Sequence, residues 1–168
     1  AACVDDLTQV FDMMTSGDVA AMIAEPIQGV GGFATPPDGF FGAMKKELEN
    51  RGVLFISDEV QTGWGRTGEH FWGYQAHGIV PDVLTFAKGV ANGLSLGGLV
   101  ASADLMDSLP GNSLSTFGGN PLSSVGALAT IRYMLKHDIQ GHALRMGERL
   151  VGHLQPAVDE SEVVAELR

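Results

Sequence analysis

Apolar residues along this chain follow two rhythms. In one they recur at helical spacing, as Leu7, Val10, Phe11 and Met14 do, which predicts an amphipathic helix over residues 5–14. In the other they form short, almost unbroken runs at 19–24, 53–56 and 83–87, as expected of strands buried on both faces of a parallel sheet. Breakers separate the runs: Ser16-Gly17-Asp18 and Pro26 flank the first, Arg51-Gly52 precedes the second and Pro81-Asp82 the third. Between them, a helix is predicted over 38–50 and a short helical turn over 71–77. Residues 61–69 carry three glycines and read as irregular. A glycine-rich stretch from Gly89 to Gly98 leads to a fourth short strand at 99–101 and a short helix over 103–109. After a loop at 110–119, Asn120-Pro121 opens a long helix to about Lys136, since proline in a first turn has no needed N–H to lose. His137-Asp138 breaks it. A second long helix is expected to run to about Leu154, with Pro156 disturbing its end.

The order β-α-β-α-β predicts an α/β chain in three layers, a mostly parallel sheet with helices on both faces. Right-handed crossovers bring the strand ends of such a sheet to one edge, and ligands bind beyond those carboxyl ends. Three runs end on or beside a charged residue: Glu25, Asp58 and Lys88. The intervals between them are long enough for crossover helices. Two acids and a lysine are therefore expected in one crevice. A solvated strand end accounts for any one of these residues alone, and for the lysine alone it is the better reading. The setting argues the other way. Lys88 lies in Thr85-Phe86-Ala87-Lys88-Gly89, whose apolar residues are expected to desolvate the amine, the condition that imine chemistry needs.

Composition narrows the partners. Of 168 residues, 45% are hydrophobic and 18% charged, which is globular. The net charge is −10 and the basic residues do not cluster, which argues against a nucleic-acid or anionic-membrane partner. A phosphate remains compatible, because backbone N–H groups and hydroxyls can hold one. No apolar run approaches a membrane span. The single cysteine, Cys3, excludes an internal disulfide and favours a cytoplasmic location. The chain begins Ala1-Ala2-Cys3 and stops at Glu166-Leu167-Arg168 without a stop signal, so a piece of a longer protein is expected.

Four strings stand in order: Ala24-Glu25-Pro26-Ile27-Gln28-Gly29, Ser57-Asp58-Glu59-Val60-Gln61-Thr62-Gly63, Phe86-Ala87-Lys88-Gly89 and Ser115-Thr116-Phe117-Gly118-Gly119-Asn120-Pro121. Together they resemble the class III (ω-) aminotransferases, pyridoxal-phosphate (PLP) enzymes of fold type I, across essentially the whole chain. The resemblance implies that residues 1–168 are part of the PLP-binding large domain, without its N-terminal segment and the C-terminal small domain. It also implies that strand 99–101 runs antiparallel beside the Lys88 strand, in keeping with the short connection. By the same resemblance Lys88 is the Schiff-base lysine and acid/base, and Asp58 pairs with the pyridine nitrogen, so that the ring acts as an electron sink. Val60, two positions on, is expected to point with Asp58 and pack on the ring. Gln61 is expected to bond the ring's phenolic oxygen, and Thr116 the phosphate of the other subunit of a homodimer. Glu25 resembles the glutamate that pairs with a switchable arginine near the substrate carboxylate. The implied activity is ping-pong transfer of an amino group from an amine or amino acid donor to a 2-oxo acid acceptor. Glu69-His70-Phe71-Trp72-Gly73-Tyr74-Gln75 and Ile79-Val80-Pro81-Asp82 are most similar to the alanine–glyoxylate/4-aminobutyrate branch. Another class III reaction (aminomutase, epimerase or decarboxylase) shares these core residues. A catalytically silent fragment is a third reading. The isolated 168 residues are expected to bind PLP poorly and to be inactive.

Other motifs carry less. Gly29-Val30-Gly31-Gly32-Phe33-Ala34 fits a dinucleotide-binding pattern, but Thr35-Pro36-Pro37 delays the helix that the pattern requires, so an ordinary glycine loop is expected. His70, His77, His137, His142 and His153 lack metal spacing and read as packing or surface residues. Trp64, Phe71, Trp72 and Tyr74 are expected in loop core or an interface rather than as a substrate wall. Ser123 and Ser124 have no partnered base.

Overall fold

The computed structural model describes residues 2–168. Helix α1 (Ala2–Met14) precedes strand β1 (Ala21–Ala24), helix α2 (Phe40–Asn50) and strand β2 (Leu54–Asp58). A 3-10 turn (Gly73–His77), strand β3 (Val83–Phe86), a second 3-10 turn (Lys88–Ala91) and strand β4 (Gly98–Ala101) follow. Helices α3 (Ala103–Asp107), α4 (Pro121–Lys136) and α5 (Ile139–Asp159) complete the chain. The strands form one sheet in the order β1-β2-β3-β4. The first three are parallel and β4 is antiparallel to β3, so the expected α/β class and its single reversed strand are both found.

One face of the sheet is sealed by α1 and α2. Phe41, Met44 and Leu48 recur at helical spacing on α2 and meet Phe55 of β2, Val53 and Phe11 of α1. Met44, Leu48 and Phe55 have no exposed surface, and burial of each contributes about 1.5–3 kcal/mol. Strand alternation sends Phe55 and Ser57 into this layer and Leu54, Ile56 and Asp58 to the opposite face, in agreement with their alternating burial. On that opposite face Ile23 of β1 and Leu99 of β4 are half-exposed.

A second, smaller cluster holds the lysine turn. Val90 and Ala91 are buried against Ala127 of α4, with Phe86, Leu94 and Ile131 around them. Gly126 makes this docking possible, since a Cβ there would stand 2.6 Å from Leu94. Asn120 caps α4 by accepting from the Ser123 N–H.

Several boundaries differ from expectation for physical reasons. Helix α2 starts at Phe40 rather than 38, because Gly39 adopts a left-handed conformation (φ 78°). Strand β2 extends to Asp58, two residues beyond its apolar run, since its backbone still pairs with Thr85. Helix α5 passes through Pro156 to Asp159. The carbonyl that Pro156 leaves without a donor, four residues back at Gly152, lies on an exposed turn where water can serve it. Residues 29–33 form turns closed by the Gln28 N–H on the Ala34 carbonyl, with no helix inside the pattern.

Candidate active site

Parallel pairing of β1, β2 and β3 puts the three charged ends on one edge of the sheet. Glu25 follows β1 directly, Asp58 is the last residue of β2 and Lys88 lies two residues beyond β3. Glu25 and Asp58 line one open groove of about 430 Å³, together with Gln28, Val30 and Gly31. Glu25 is held there: its Oε2 accepts from the Gly29 N–H at 3.0 Å. Asp58 is held too, its Oδ1 accepting from the Val60 N–H at 3.0 Å.

Lys88 joins this edge through Gln61. Its Nζ donates to Gln61 Oε1 at 2.5 Å. Gln61 in turn lies against Gly29, where a Cβ would sit 3.4 Å from Gln61 Cγ and 3.3 Å from Glu25 Oε2. A glycine at 29 therefore lets Glu25 and Gln61 pack side by side. The chain of contacts runs from Glu25 through Gly29 to Gln61 and Lys88.

The backbone at Lys88 is unusual. Its φ is 44°, in the left-handed region that a residue with a Cβ adopts at a cost of about 1–2 kcal/mol. Such strain persists only where the surroundings enforce it, and it is common at functional sites. Here the enforcing packing is Val90 and Ala91 under α4. The apolar enclosure expected around the amine is not formed by these residues: the Lys88 side chain is exposed. The apolar members of its motif face elsewhere. Phe86, for one, packs edge-on against Trp64, with centroids 5.2 Å apart.

Val60 does not continue the strand. Because β2 ends at Asp58 and residues 60–67 form turns, strand alternation cannot set its direction; its N–H on the Asp58 carboxylate fixes it instead. Thr116 is exposed in the loop before α4. Its neighbours Ser115, Phe117 and Gly118 line a groove opposite Ser95 and Gly97. Trp64, Phe71 and Trp72 pack on one another with centroids 4.8–5.7 Å apart, a loop core as expected. His77 packs at a tilt against Phe41, with centroids 4.6 Å apart. Among the described residues no three His, Cys, Asp or Glu gather as a metal site, and no helix is long and apolar enough to cross a membrane.

The family model for class-III aminotransferases matches residues 1–168. The chain belongs to this family. This class-III aminotransferase chain is 38% identical over 97% of its length to alanine–glyoxylate aminotransferase 2 homolog 2 of Arabidopsis thaliana, covering 34% of that protein. It is 40% identical over 90% of its length to the alanine/serine racemase of Pyrococcus horikoshii, covering 32% of it. A solved transaminase from the marine bacterium Virgibacillus superposes with a TM-score of 0.91 at 34% identity, over 98% of this chain and 39% of that one. The chain thus spans about a third of the curated relatives it matches.

One residue of this edge, Glu59, is not singled out by sequence alone. It is fully buried beside Asp58, and all its hydrogen-bond partners lie within the class-III chain itself. A signal was present: hydroxyl residues Ser57 and Thr62 bracket an acid that directly follows a buried strand. Nor does sequence alone single out Gly29 as the spacer between Glu25 and Gln61.

Proposed function

We propose that the protein carrying this chain transfers an amino group from an amine or amino acid to a 2-oxo acid by a ping-pong mechanism, using pyridoxal phosphate. The observation that carries this reading is Lys88: an exposed amine on strained backbone, bonded to Gln61 and on the same sheet edge as Asp58. The donor set fits the cofactor, with an amine for its aldehyde, a carboxylate for its ring nitrogen and an amide for its phenolic oxygen. When bound, the cofactor supplies a carbonyl for amines and a protonated ring that withdraws electrons from the substrate carbon. Lys88 holds it through Nζ and carries the proton that amino transfer moves. Asp58 keeps a proton on the ring nitrogen, its own carboxylate steadied by the Val60 N–H. Val60 would border the ring, Gln61, which already holds Lys88, would bond the phenolic oxygen, and Glu25 would border the substrate's carboxylate end.

The chain is read as the central part of a larger protein, whose other segments complete the cofactor pocket and add the small domain. A cytoplasmic homodimer is part of the proposal, with Thr116 reaching the phosphate of the partner subunit. Leu114, Phe117, Leu122 and Val125, all more than half exposed around Thr116, give such a dimer an apolar face.

The test uses full-length protein with pyridoxal phosphate. Borohydride reduction and peptide mass spectrometry are expected to find the cofactor mass on Lys88, and alanine with glyoxylate or another 2-oxo acid is expected to turn over. A visible cofactor band that persists in Lys88→Ala refutes the lysine assignment. Similarity to an amino-acid racemase favours a second reading, interconversion of amino-acid enantiomers. Racemisation without any 2-oxo acid would select it.

A further inference from the structure

The best-protected charged group near the site has no part in the mechanism above. Glu59 lies between Asp58 and Val60 with 0% of its surface exposed. Its Oε1 accepts from Ser57 Oγ at 3.1 Å and from the Tyr74 N–H at 2.7 Å. Its Oε2 accepts from Thr62 Oγ1 at 2.7 Å and from the Gly73 N–H at 2.7 Å. A carboxylate is buried without a cation only when its hydrogen bonds are complete, and here each oxygen receives two.

The donors come from both sides of the segment that matters. Ser57 and Thr62 bracket residues 58–61, which carry Asp58, Val60 and Gln61. Gly73 and Tyr74 belong to the opposing 3-10 turn. The backbone of Glu59 adds two more ties: its N–H donates to the Thr85 carbonyl of β3 at 3.0 Å and its carbonyl accepts from the Gly63 N–H at 2.9 Å. The turn is pressed close, since a Cβ on Gly73 would stand 2.6 Å from Thr62. One residue therefore pins the loop to the neighbouring strand, to the facing turn and to itself.

We infer that Glu59 is a positioning residue for the amino-transfer site, fixing Asp58 and Gln61 from behind. The inference rests on the pyridoxal-phosphate reading above. Glutamine is nearly isosteric but cannot replace it. Its NH2 group must face one backbone N–H, of Gly73 or of Tyr74, and an N–H, unlike a hydroxyl, cannot turn round to accept.

The experiment compares wild type, Glu59→Gln and Leu48→Ala in the full-length protein. Leu48→Ala serves as a destabilised control whose change lies in the α2 core. Three quantities are measured: the melting temperature of the apoprotein, the dissociation constant for pyridoxal phosphate, and the pH midpoint of the bound cofactor's visible absorption. Glu59→Gln is expected to weaken cofactor binding about tenfold, the equivalent of one lost buried hydrogen bond, and to move the pH midpoint. Leu48→Ala is expected to lower the melting temperature and leave both cofactor readouts unchanged. Should Glu59→Gln fail to fold, Ser57→Ala removes one donor and is expected to shift both readouts in the same direction by less. Cofactor readouts in Glu59→Gln, or in Ser57→Ala where that variant stands in, that match those of Leu48→Ala overturn the inference while the cofactor reading stands. A wild-type protein that binds no pyridoxal phosphate overturns that reading, and the inference with it.

Discussion

Removing the Asp82 carboxylate is expected to loosen β2 at Phe55. Asp82 Oδ2 accepts from the Phe55 N–H and from Lys45 Nζ, each at 2.8 Å, while the Asp82 N–H donates back to the Phe55 carbonyl at 2.9 Å. The side chain and backbone of Asp82 thus carry the β2–β3 ladder beyond the Ile56–Val83 pair. In Asp82→Ala the Phe55 N–H loses a charged acceptor, and Lys45 keeps only Glu49, at 3.3 Å. A hydrogen bond to a charged group is worth about 1.5–3 kcal/mol, so a loss of about 2 kcal/mol is expected. Read by hydrogen exchange on a peptide covering 53–58, that is about 30-fold faster exchange at Phe55. Asp82→Asn keeps an acceptor and is expected to lose less. The pH dependence follows from the direction of the shifts. Burial pushes the Asp82 carboxyl up, but the bonds from Lys45 and the Phe55 N–H outweigh it, so its pKa lies below the ordinary value of about 3.8. Its contribution is then present above about pH 4 and is lost as pH falls through the depressed value. Burial pulls Lys45 down, and its bonds to Asp82 and Glu49 outweigh that, so its pKa lies above the ordinary value of about 10.5. Its contribution is present below that value and is lost as pH rises through the elevated one. Unchanged exchange at Phe55 in Asp82→Ala at pH 7 would refute the argument.

Leu48→Ala opens a void under α2 and is expected to cost about 2–5 kcal/mol, read as a lowered urea midpoint at unchanged slope. Gly68→Ala is expected to destabilise more than an ordinary surface substitution, since φ is +80° and the new Cβ would lie 2.6 Å from the Leu144 backbone; thermal unfolding checks it. Asn120→Ala removes the α4 cap and is expected to cost about 1 kcal/mol, measurable by denaturant titration.

Much of the architecture was legible because it rests on local signals. Parallel strands need apolar runs, and the runs at 19–24, 53–56 and 83–87 became β1, β2 and β3, but burial on both faces is not found: the face that carries Ile23 is half-exposed in this chain. The ends of those runs put Glu25, Asp58 and Lys88 on one edge from sequence alone. What could not be read was set by long-range contacts. Nothing near Glu59 in sequence announces that Gly73 and Tyr74 will close over it. The tie between Asp82 and Phe55 likewise joins residues far apart in the chain. The exposure of Lys88 was misjudged because apolar sequence neighbours were taken for spatial ones, whereas Phe86 turns toward Trp64. Thr116 had no physical signal of its own, only a family motif.

The left-handed backbone at Lys88 has an evolutionary consequence. Glycine would relax that conformation and make the chain more stable, by about 1 kcal/mol, while removing the amine. Drift under selection for folding alone would therefore erase this lysine. On the proposed function, that strain is what it takes to present an amine, rather than bare backbone, at the carboxyl edge of the sheet.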